Sequence, residues 1–549
     1  MDGLDGVPLG SGDPAASQTA GLRDMLESAA DLVDPVAAAR ELPWLAGELA
    51  RIALGRSDLT FAEKDPRFTD VTWRENPLFR RLGQTYRLYE QWTDRMVAAA
   101  DGPWERRART RYLANILTGA LAPTNYLPAN PAALKRAFET GGLSVLRGGR
   151  NMMRDLARGG MPAMVDRRPF PVGEKLACTA GAVVHREEIF ELLQYTPVTP
   201  AVRTVPLLIV PPELNRYYVL DLAPGRSMVE YAVAAGIQVF MVVWRNPRPE
   251  LGHGHWGLDD YVSAQARAAA VVAKISGSDT VNWLGLCAGG ITTALTLGYL
   301  AARGDAPAGA ATFIVTMLTS DHPNVVGWMA GGGSQEALRR AAAARLVFPG
   351  RMLRTSFAWL RPNDLVFNYL VNGWLLGEDP PAFDVLAWND DATGMTARLS
   401  AEMSEVLVGG KAAQPGAITV LGTPIDLAKV DCDCFCVAGH TDHITPWRAC
   451  YGVTQVLGGS KQMVVVRSGH IQSFVNPAKT AKYGYWEAPP SVPDPDRWLS
   501  AAAAHEGSWW PTWARWLMSR SGAEKSAPAA LGSPQYRPLA PAPGSYVHE

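Results

Sequence analysis

The run Trp283-Leu284-Gly285-Leu286-Cys287-Ala288-Gly289-Gly290 constrains this chain more than any other segment. An apolar stretch passes through Gly-x-Cys-x-Gly and then becomes a helical pattern. That order predicts a strand, a sharp turn that presents one side chain, and a helix: a nucleophile elbow, with cysteine where serine usually stands. Gly285 and Gly289 leave room for strand and helix to approach around a strained residue. The first turn of the helix favours negative charge, and therefore thiolate over thiol.

The surrounding pattern fits that turn into a sheet. Val205–Val210, Ile237–Trp244, Thr280–Gly285, Thr312–Leu318, Cys434–Ala438 and Met463–Arg467 read as buried strands. Asp260–Ile275 and Ile291–Ala302 read as helices between them. Strand–helix alternation of this kind predicts a parallel sheet covered on both faces. The expected fold class is α/β: an α/β-hydrolase fold with a cap insertion, preceded by a mainly helical N-terminal domain. Asn76–Met96 has helical spacing, and Asn130-Pro131 followed by Gly141-Gly142 reads as an N-cap, a first-turn proline and a stop. The expected division is an unstructured segment 1–20, a helical domain 21–200, and a catalytic domain 201–522 with its cap at about 321–405. An Ala- and Pro-rich tail, 523–549, is expected to be unstructured.

Composition narrows the function classes. The chain has 549 residues, long enough for two domains, and 47% are hydrophobic. A net charge of -1 gives no global field for nucleic acid or acidic lipid. Six cysteines in this length imply no disulfide framework, which fits a reducing cytoplasm. The start, Met1-Asp2-Gly3-Leu4-Asp5, has neither a basic nor an apolar region, so no signal peptide is expected. The longest apolar stretch, at Ile237–Trp244, is too short to cross a bilayer. Any association with lipid or polymer is expected to be peripheral.

Two further segments complete a catalytic set. Gly439-His440-Thr441-Asp442-His443 follows one strand directly, and Ser468-Gly469-His470 follows the next. Loops at the carboxyl ends of parallel strands carry the chemistry of such folds. The chain order is nucleophile, acid, histidine. His470 is expected to take the proton of Cys287 or hold it in an ion pair, and Asp442 to orient the imidazole. The backbone N–H of Ala288 is one expected oxyanion donor. A second is expected from the loop Pro211–Arg216. The blander readings stand beside these. Cys178, Cys432, Cys434, Cys436 and Cys450 read as small buried hydrophobes. Cys432, Cys434 and Cys436 alternate along one strand face, and no second ligand pair follows, so no metal is expected. His253 and His255 read as loop residues, His440 and His443 as loop-holding residues, and Asp259-Asp260 as helix caps.

The choice of sulfur has a chemical consequence. Transfer from a thioester substrate to a thiol is close to thermoneutral, and the acyl group stays activated. Attack by a hydroxyl then yields an oxoester downhill. A cysteine elbow therefore suits an acyltransferase that accepts acyl-CoA thioesters and delivers to alcohols.

From about Asn76 to about Trp486 the chain resembles the polyhydroxyalkanoate synthases. The resemblance is carried by Asn76-Pro77-Leu78-Phe79, Val210-Pro211-Pro212 with Asn215-Arg216-Tyr217-Tyr218, and Trp244-Arg245-Asn246-Pro247. It continues in the elbow, Arg361-Pro362-Asn363-Asp364, Trp388-Asn389-Asp390-Asp391-Ala392-Thr393, Asp442-His443-Ile444, and Ser468-Gly469-His470-Ile471-Gln472. It implies a cytoplasmic, single-subunit enzyme that polymerises (R)-3-hydroxyacyl-CoA into polyester with release of CoA. It also implies a homodimer, a place on the surface of the polyester granule, and no cofactor, coenzyme A being part of the substrate. Segments 76–142 look closer to the medium-chain branch. By the resemblance Cys287 carries the chain, His470 activates it, and Asp442 acts on His470, on the substrate hydroxyl, or on both. One departure stands out: Gly394-Met395-Thr396 follows Thr393 where the family motif continues to a proline. The competing enzyme reading is a thiol-dependent α/β-hydrolase, a polyester depolymerase or thioesterase. A third reading is a non-catalytic granule-coat protein, against which the complete set Cys287, Asp442 and His470 argues.

Overall fold

The computed structural model describes residues 27–61, 65–305, 308–319 and 333–549. The expected unstructured segment 1–20 and residues 321–332 of the expected cap lie outside these. The N-terminal segment is built on helices α1 (Pro35–Ala53), α2 (Pro77–Ala99), α3 (Trp104–Ala120), α4 (Pro131–Glu139) and α5 (Leu143–Ala157). Its caps follow the sequence. The Asn76 side chain accepts the N–H groups of Leu78 and Phe79, and Asn130 accepts that of Ala133, each ahead of a first-turn proline. Gly142, at φ 86°, makes the bend between α4 and α5 that a side chain would strain. Phe68, Trp73 and Tyr86 form a small aromatic core of this segment, with Phe61 stacked on Phe68. Helix α5 is tied to the cap: Asn151 donates to the carbonyls of Gly373 and Glu378, and the Trp374 indole donates to Asp155.

The helical segment ends well before residue 200. Strands β1 (Gly181–Arg186) and β2 (Phe190–Tyr195) already belong to the sheet. The others are β3 (Leu207–Val210), β4 (Val239–Trp244), β5 (Asn282–Leu286), β6 (Ala310–Ile314), β7 (Asp433–Gly439), β8 (Lys461–Val466), β9 (Tyr485–Ala488), β10 (Ala503–His505) and β11 (Ala540–Pro541). The sheet has 11 strands in the order β10-β9-β8-β7-β6-β5-β3-β4-β2-β1-β11. From β4 across to β8 every pairing is parallel. The strands flanking this block on either side are antiparallel. Helices α6 (Leu258–Ser276) and α7 (Ala288–Arg303) cover one face.

Strands β3 to β6 are buried at every residue, so they are apolar almost throughout rather than alternating with polar residues. Leu208 and Val210 point into one core, Leu207 and Ile209 into the other. Cys432, Cys434 and Cys436 are buried together in the first of these, as their spacing predicts. The cap follows β6 and includes the helices Gly333–Ala343, Gly350–Trp359 and Ala397–Leu407. Thr396, in place of the family's proline, accepts the N–H of Leu399 and donates to the carbonyl of Trp256. It caps the last of these helices and ties it to the catalytic domain.

The tail corrects the expectation of an unstructured end. Glu524–Ser526 pairs with Ala201–Arg203, and β11 pairs with β1. The carboxylate of Glu191, fully buried on β2, accepts from the N–H groups of Ser545 and Tyr546, from the Ser545 hydroxyl and from Arg186. Tyr546 and Val547 are buried, and Glu549 pairs with Arg245 and Arg248. Prolines suit this segment because an extended chain docked on a sheet edge needs few donors.

Replacing Glu191 with alanine removes one acceptor from four donors. The expected cost is about 2–4 kcal/mol of stability, since buried donors lose their partner. Limited chymotrypsin digestion of Glu191→Ala is expected to cut after Tyr546, which the docked tail buries, well before the wild type is cut there. Identical cleavage kinetics would contradict the docking.

Candidate active site

β5 ends at Leu286, and Cys287 adopts φ 53°, ψ -118° before α7 begins. Residues with side chains rarely take this conformation, and it persists only where neighbours enforce it. Here they do. The Cys287 N–H donates to the carbonyl of Ile314 on β6 at 2.8 Å. A Cβ on Gly285 would lie 2.6 Å from the Cα of Gly290, and one on Gly289 would overlap the carbonyls of Val210 and Pro211. A Cβ on Gly290 would overlap the Thr316 side chain. The three glycines thus let α7 start directly against β5 and against the loop after β3. The Cys287 side chain is left half-buried at the carboxyl edge of the parallel block.

The acid and histidine loops leave the neighbouring strands β7 and β8. They are tied by main-chain bonds from His440 to Val466 and from Thr441 to Ser468. Gly439 faces the carbonyl of Ser468 too closely for a larger residue. His470 opens the short helix His470–Phe474, and its Nδ1 lies 2.6 Å from Oδ2 of Asp442. Asp442 is buried and heavily bonded. Oδ1 accepts the N–H groups of Ile444 and Thr445, and Oδ2 accepts the Thr445 hydroxyl.

Burial alone would lower the pKa of His470. The charge of Asp442 and its hydrogen bond, reinforced by the Cys287 thiol, overcome this and raise it from 6.5 to about 10. Asp442 is likewise pushed up by burial, but the His470 charge and these hydrogen bonds bring it below the usual carboxylate range. The pair is therefore imidazolium and carboxylate at neutral pH. With Nδ1 engaged by Asp442, Nε2 is the nitrogen left for the sulfur. Such a set can hold a thiol's proton as an imidazolium and pass it to a leaving group.

Ala288 is the first residue of α7, so its N–H has no acceptor within the helix. In the loop after β3, Pro211 and Pro212 carry no N–H, so Glu213 offers the first donor. This loop is held from three sides. The Trp244 indole donates to the Pro211 carbonyl at 2.9 Å, and the cap residue Trp388 donates to that of Arg216 at 2.8 Å. Asn215 bridges Ala392, and Arg216 donates to the carbonyl of Tyr546 in the tail.

The remaining candidates have structural places. His253 is buried and stacked on Trp256, and its Nδ1 accepts the N–H of Arg248. The His255 ring bonds the Gly252 carbonyl. His440 packs against Trp447 and Trp486. His443 stands nearer the chemistry. Burial, and then the cap residue Arg361, lower its pKa, against the opposing charge of Asp442. Asp260 caps α6 by accepting the N–H of Gly257, whereas Asp259 reaches instead to the N–H of Leu421. Among the described residues no group of three or more His, Cys, Asp and Glu side chains is placed to hold a metal ion. Sequence reasoning missed Thr445, which bonds both Asp442 and the His470 ring. The Asp-x-x-Thr spacing of an Asx turn was its available signal.

Comparison with known proteins gives two matching family profiles. One, described as "Poly-beta-hydroxybutyrate polymerase (PhaC) N-terminus", covers residues 64–232. The other, described as "alpha/beta hydrolase fold", covers residues 226–477. The chain is 43% identical over 515 residues to Poly(3-hydroxyalkanoate) polymerase 2 of Ectopseudomonas oleovorans, covering 93% of this chain and 91% of that one. It is 38% identical over 504 residues to the Poly(3-hydroxyalkanoate) polymerase subunit PhaC of Cupriavidus necator, covering 90% of this chain and 85% of that one.

Because the folded-state pKa of His470 lies above its ordinary 6.5, the charged ring contributes stability that is complete below about pH 6.5 and is lost as pH rises through about 10. Asp442→Asn is expected to move the His470 titration down by at least about 2 units and to flatten stability over that window. Ring-nitrogen NMR titration measures the first and denaturant unfolding the second. An unmoved titration would contradict the pairing.

Proposed function

Since this chain belongs to the poly(3-hydroxyalkanoate) polymerase family, and is thereby an acyltransferase, we propose that the polyester grows as a thioester on Cys287. The reading is supported above all by the charged His470–Asp442 pair standing beside a cysteine held at a strained elbow.

The steps follow from those groups. Nε2 of His470 holds the proton drawn from Cys287, and the thiolate attacks the thioester carbonyl of (R)-3-hydroxyacyl-CoA. A new carbon–sulfur bond forms to Cys287, and the bond to coenzyme A breaks. The departing thiolate takes the proton held by His470. The 3-hydroxyl of a second acyl-CoA then attacks the Cys287 thioester and gives its proton to His470. The ester bond forms, the carbon–sulfur bond to Cys287 breaks with its electron pair returning to the sulfur, and the lengthened acyl-CoA reloads the thiolate by the first exchange. The N–H groups of Ala288 and Glu213 stabilise the oxyanion at each addition. Asp442 keeps the imidazole oriented and stabilises its charged form. Both exchanges run on side-chain charge, so the reaction calls for no cofactor.

On this reading the protein works in the cytoplasm at the surface of the granule it makes, as a homodimer. No described helix is long and apolar enough to cross a membrane. The exposed side chains of Phe138, Leu146, Met153 and Leu156 on α4 and α5 offer an apolar surface suited to a peripheral polyester contact. The net charge of -1 offers nothing to nucleic acid.

Purified protein supplied with C4 and C8 (R)-3-hydroxyacyl-CoA is expected to release CoA while polymer accumulates. Cys287→Ala is expected to abolish both. Cys287→Ser is expected to lose at least about a hundredfold, because a serine oxoester is a poorer acyl donor and the hydroxyl a poorer partner for the charged imidazole. Free hydroxy acid in place of polymer would favour a hydrolase. A fully active Cys287→Ser would sink the thioester route.

A further inference from the structure

Glu213 is a titratable residue that the reaction above leaves idle apart from its backbone. It lies in the loop facing the nucleophile and is 2% exposed. Its Oε1 accepts the Thr292 hydroxyl at 2.6 Å, and Thr292 stands on α7, just past Cys287. The Thr292 oxygen in turn accepts Nε2 of Gln265 on α6 at 2.6 Å, while Oε1 of Gln265 accepts Thr296. The amide nitrogen can only give, so the threonine proton is left for an acceptor, Glu213 at 2.6 Å or the Gly289 carbonyl at 3.1 Å, and the shorter contact is the one to Glu213. The second carboxyl oxygen, Oε2, is buried with no hydrogen-bond partner among the described residues.

Among the described residues no cation pairs with this carboxyl. From α6 the facing titratable group is Tyr261, whose phenol Glu213 helps to push up, with Asp260 beyond it. From α7 the contact is the neutral Thr292. From the cap, Thr393 reaches only the Glu213 carbonyl, at 3.5 Å. Arg216, on the same loop, is turned toward Asp391 and the Tyr546 carbonyl. A buried carboxylate with no ion pair and one bare oxygen is costly in such a place, whereas the neutral acid is tolerated. Burial accordingly raises its pKa from 4.5 to about 7, against the Thr292 hydroxyl and its own backbone N–H, which favour the charged form.

We propose that Glu213 is a positioning residue for acyl transfer: as the uncharged acid, bonded to Thr292, it holds the loop that bears its own N–H against the start of α7. This rests on the proposed Cys287 chemistry and deepens it. Ionisation would set a negative charge beside the site where the oxyanion forms, and like charges in a dry site oppose one another strongly. The proton on Glu213 thereby becomes a condition of turnover, distinct from the proton carried by His470.

The test is burst acylation of Cys287 by p-nitrophenyl acetate from pH 6 to 9, read as p-nitrophenolate. The sulfur–acyl bond forms, the aryl ester bond breaks, and the electron pair leaves with p-nitrophenolate. At pH 6, Glu213→Ala and Thr292→Val are expected to acylate at least about tenfold more slowly than wild type, and Glu213→Gln to recover most of that loss. Above pH 7 the wild type is expected to fall behind Glu213→Gln by about tenfold per pH unit, because only the neutral acid is competent. A constant ratio of Glu213→Gln to wild type across the range overturns the proposal, as does a Glu213→Ala that matches wild type. A wild type without any burst overturns it together with the role of Cys287. CoA release from (R)-3-hydroxyacyl-CoA is measured alongside. Its absence where the burst persists refutes the polymerase chemistry and leaves the Glu213 role standing.

Discussion

The arrangement depends on how closely α7 begins against the sheet. Gly285, Gly289 and Gly290 each occupy a spot where one more carbon would strike backbone or Thr316, and together they force Cys287 to φ 53°. That backbone is strained by about 1–3 kcal/mol, and the surrounding packing holds it. The strain has a use. It brings a helix N-terminus, a cysteine side chain and the loop after β3 to one point, at the carboxyl edge of the parallel strands.

Two carboxyl groups flank that point, and their surroundings push them in opposite directions. Asp442 accepts three hydrogen bonds and faces an imidazolium, so its charge is retained despite burial. Glu213 has only the Thr292 hydroxyl and its own N–H, and no ion pair among the described residues, so burial favours its acid form. One group stabilises positive charge on His470, and the other keeps negative charge away from the oxyanion side. Charge separation across the sulfur is therefore built from local hydrogen bonding rather than from the net charge of the chain. The cap takes part through Trp388 and Asn215–Ala392, which join its base to the loop, and through the charge of Arg361, which opposes protonation of His443.

What could be read from the sequence follows from how local each signal is. The elbow was legible because its glycines are a steric requirement written within five residues. Asp442 and His470 were legible because each directly follows an apolar strand. The central strands and helices lie within a few residues of where periodicity places them. Strands β1 and β2 were not found: their identity rests on β2 pairing with β4, some fifty residues on, and not on their own pattern. The tail misled for a similar reason. Its alanines and prolines read as unstructured, yet Glu191, a single buried acceptor more than 350 positions earlier, orders Ser545 and Tyr546. Glu213 is one charged letter after two prolines, and its burial exists only once α6 and α7 have packed.

The central claim is a covalent bond to one sulfur, and it is tested most directly by trapping. Protein mixed with (R)-3-hydroxyacyl-CoA, quenched in acid and digested is expected to yield the peptide containing Cys287 with the added mass of one or more hydroxyacyl units. That mass is expected to be lost on treatment with neutral hydroxylamine, as a thioester is. Acylation found on a serine, threonine or other cysteine instead, with Cys287 unmodified while polymer accumulates, would contradict the account.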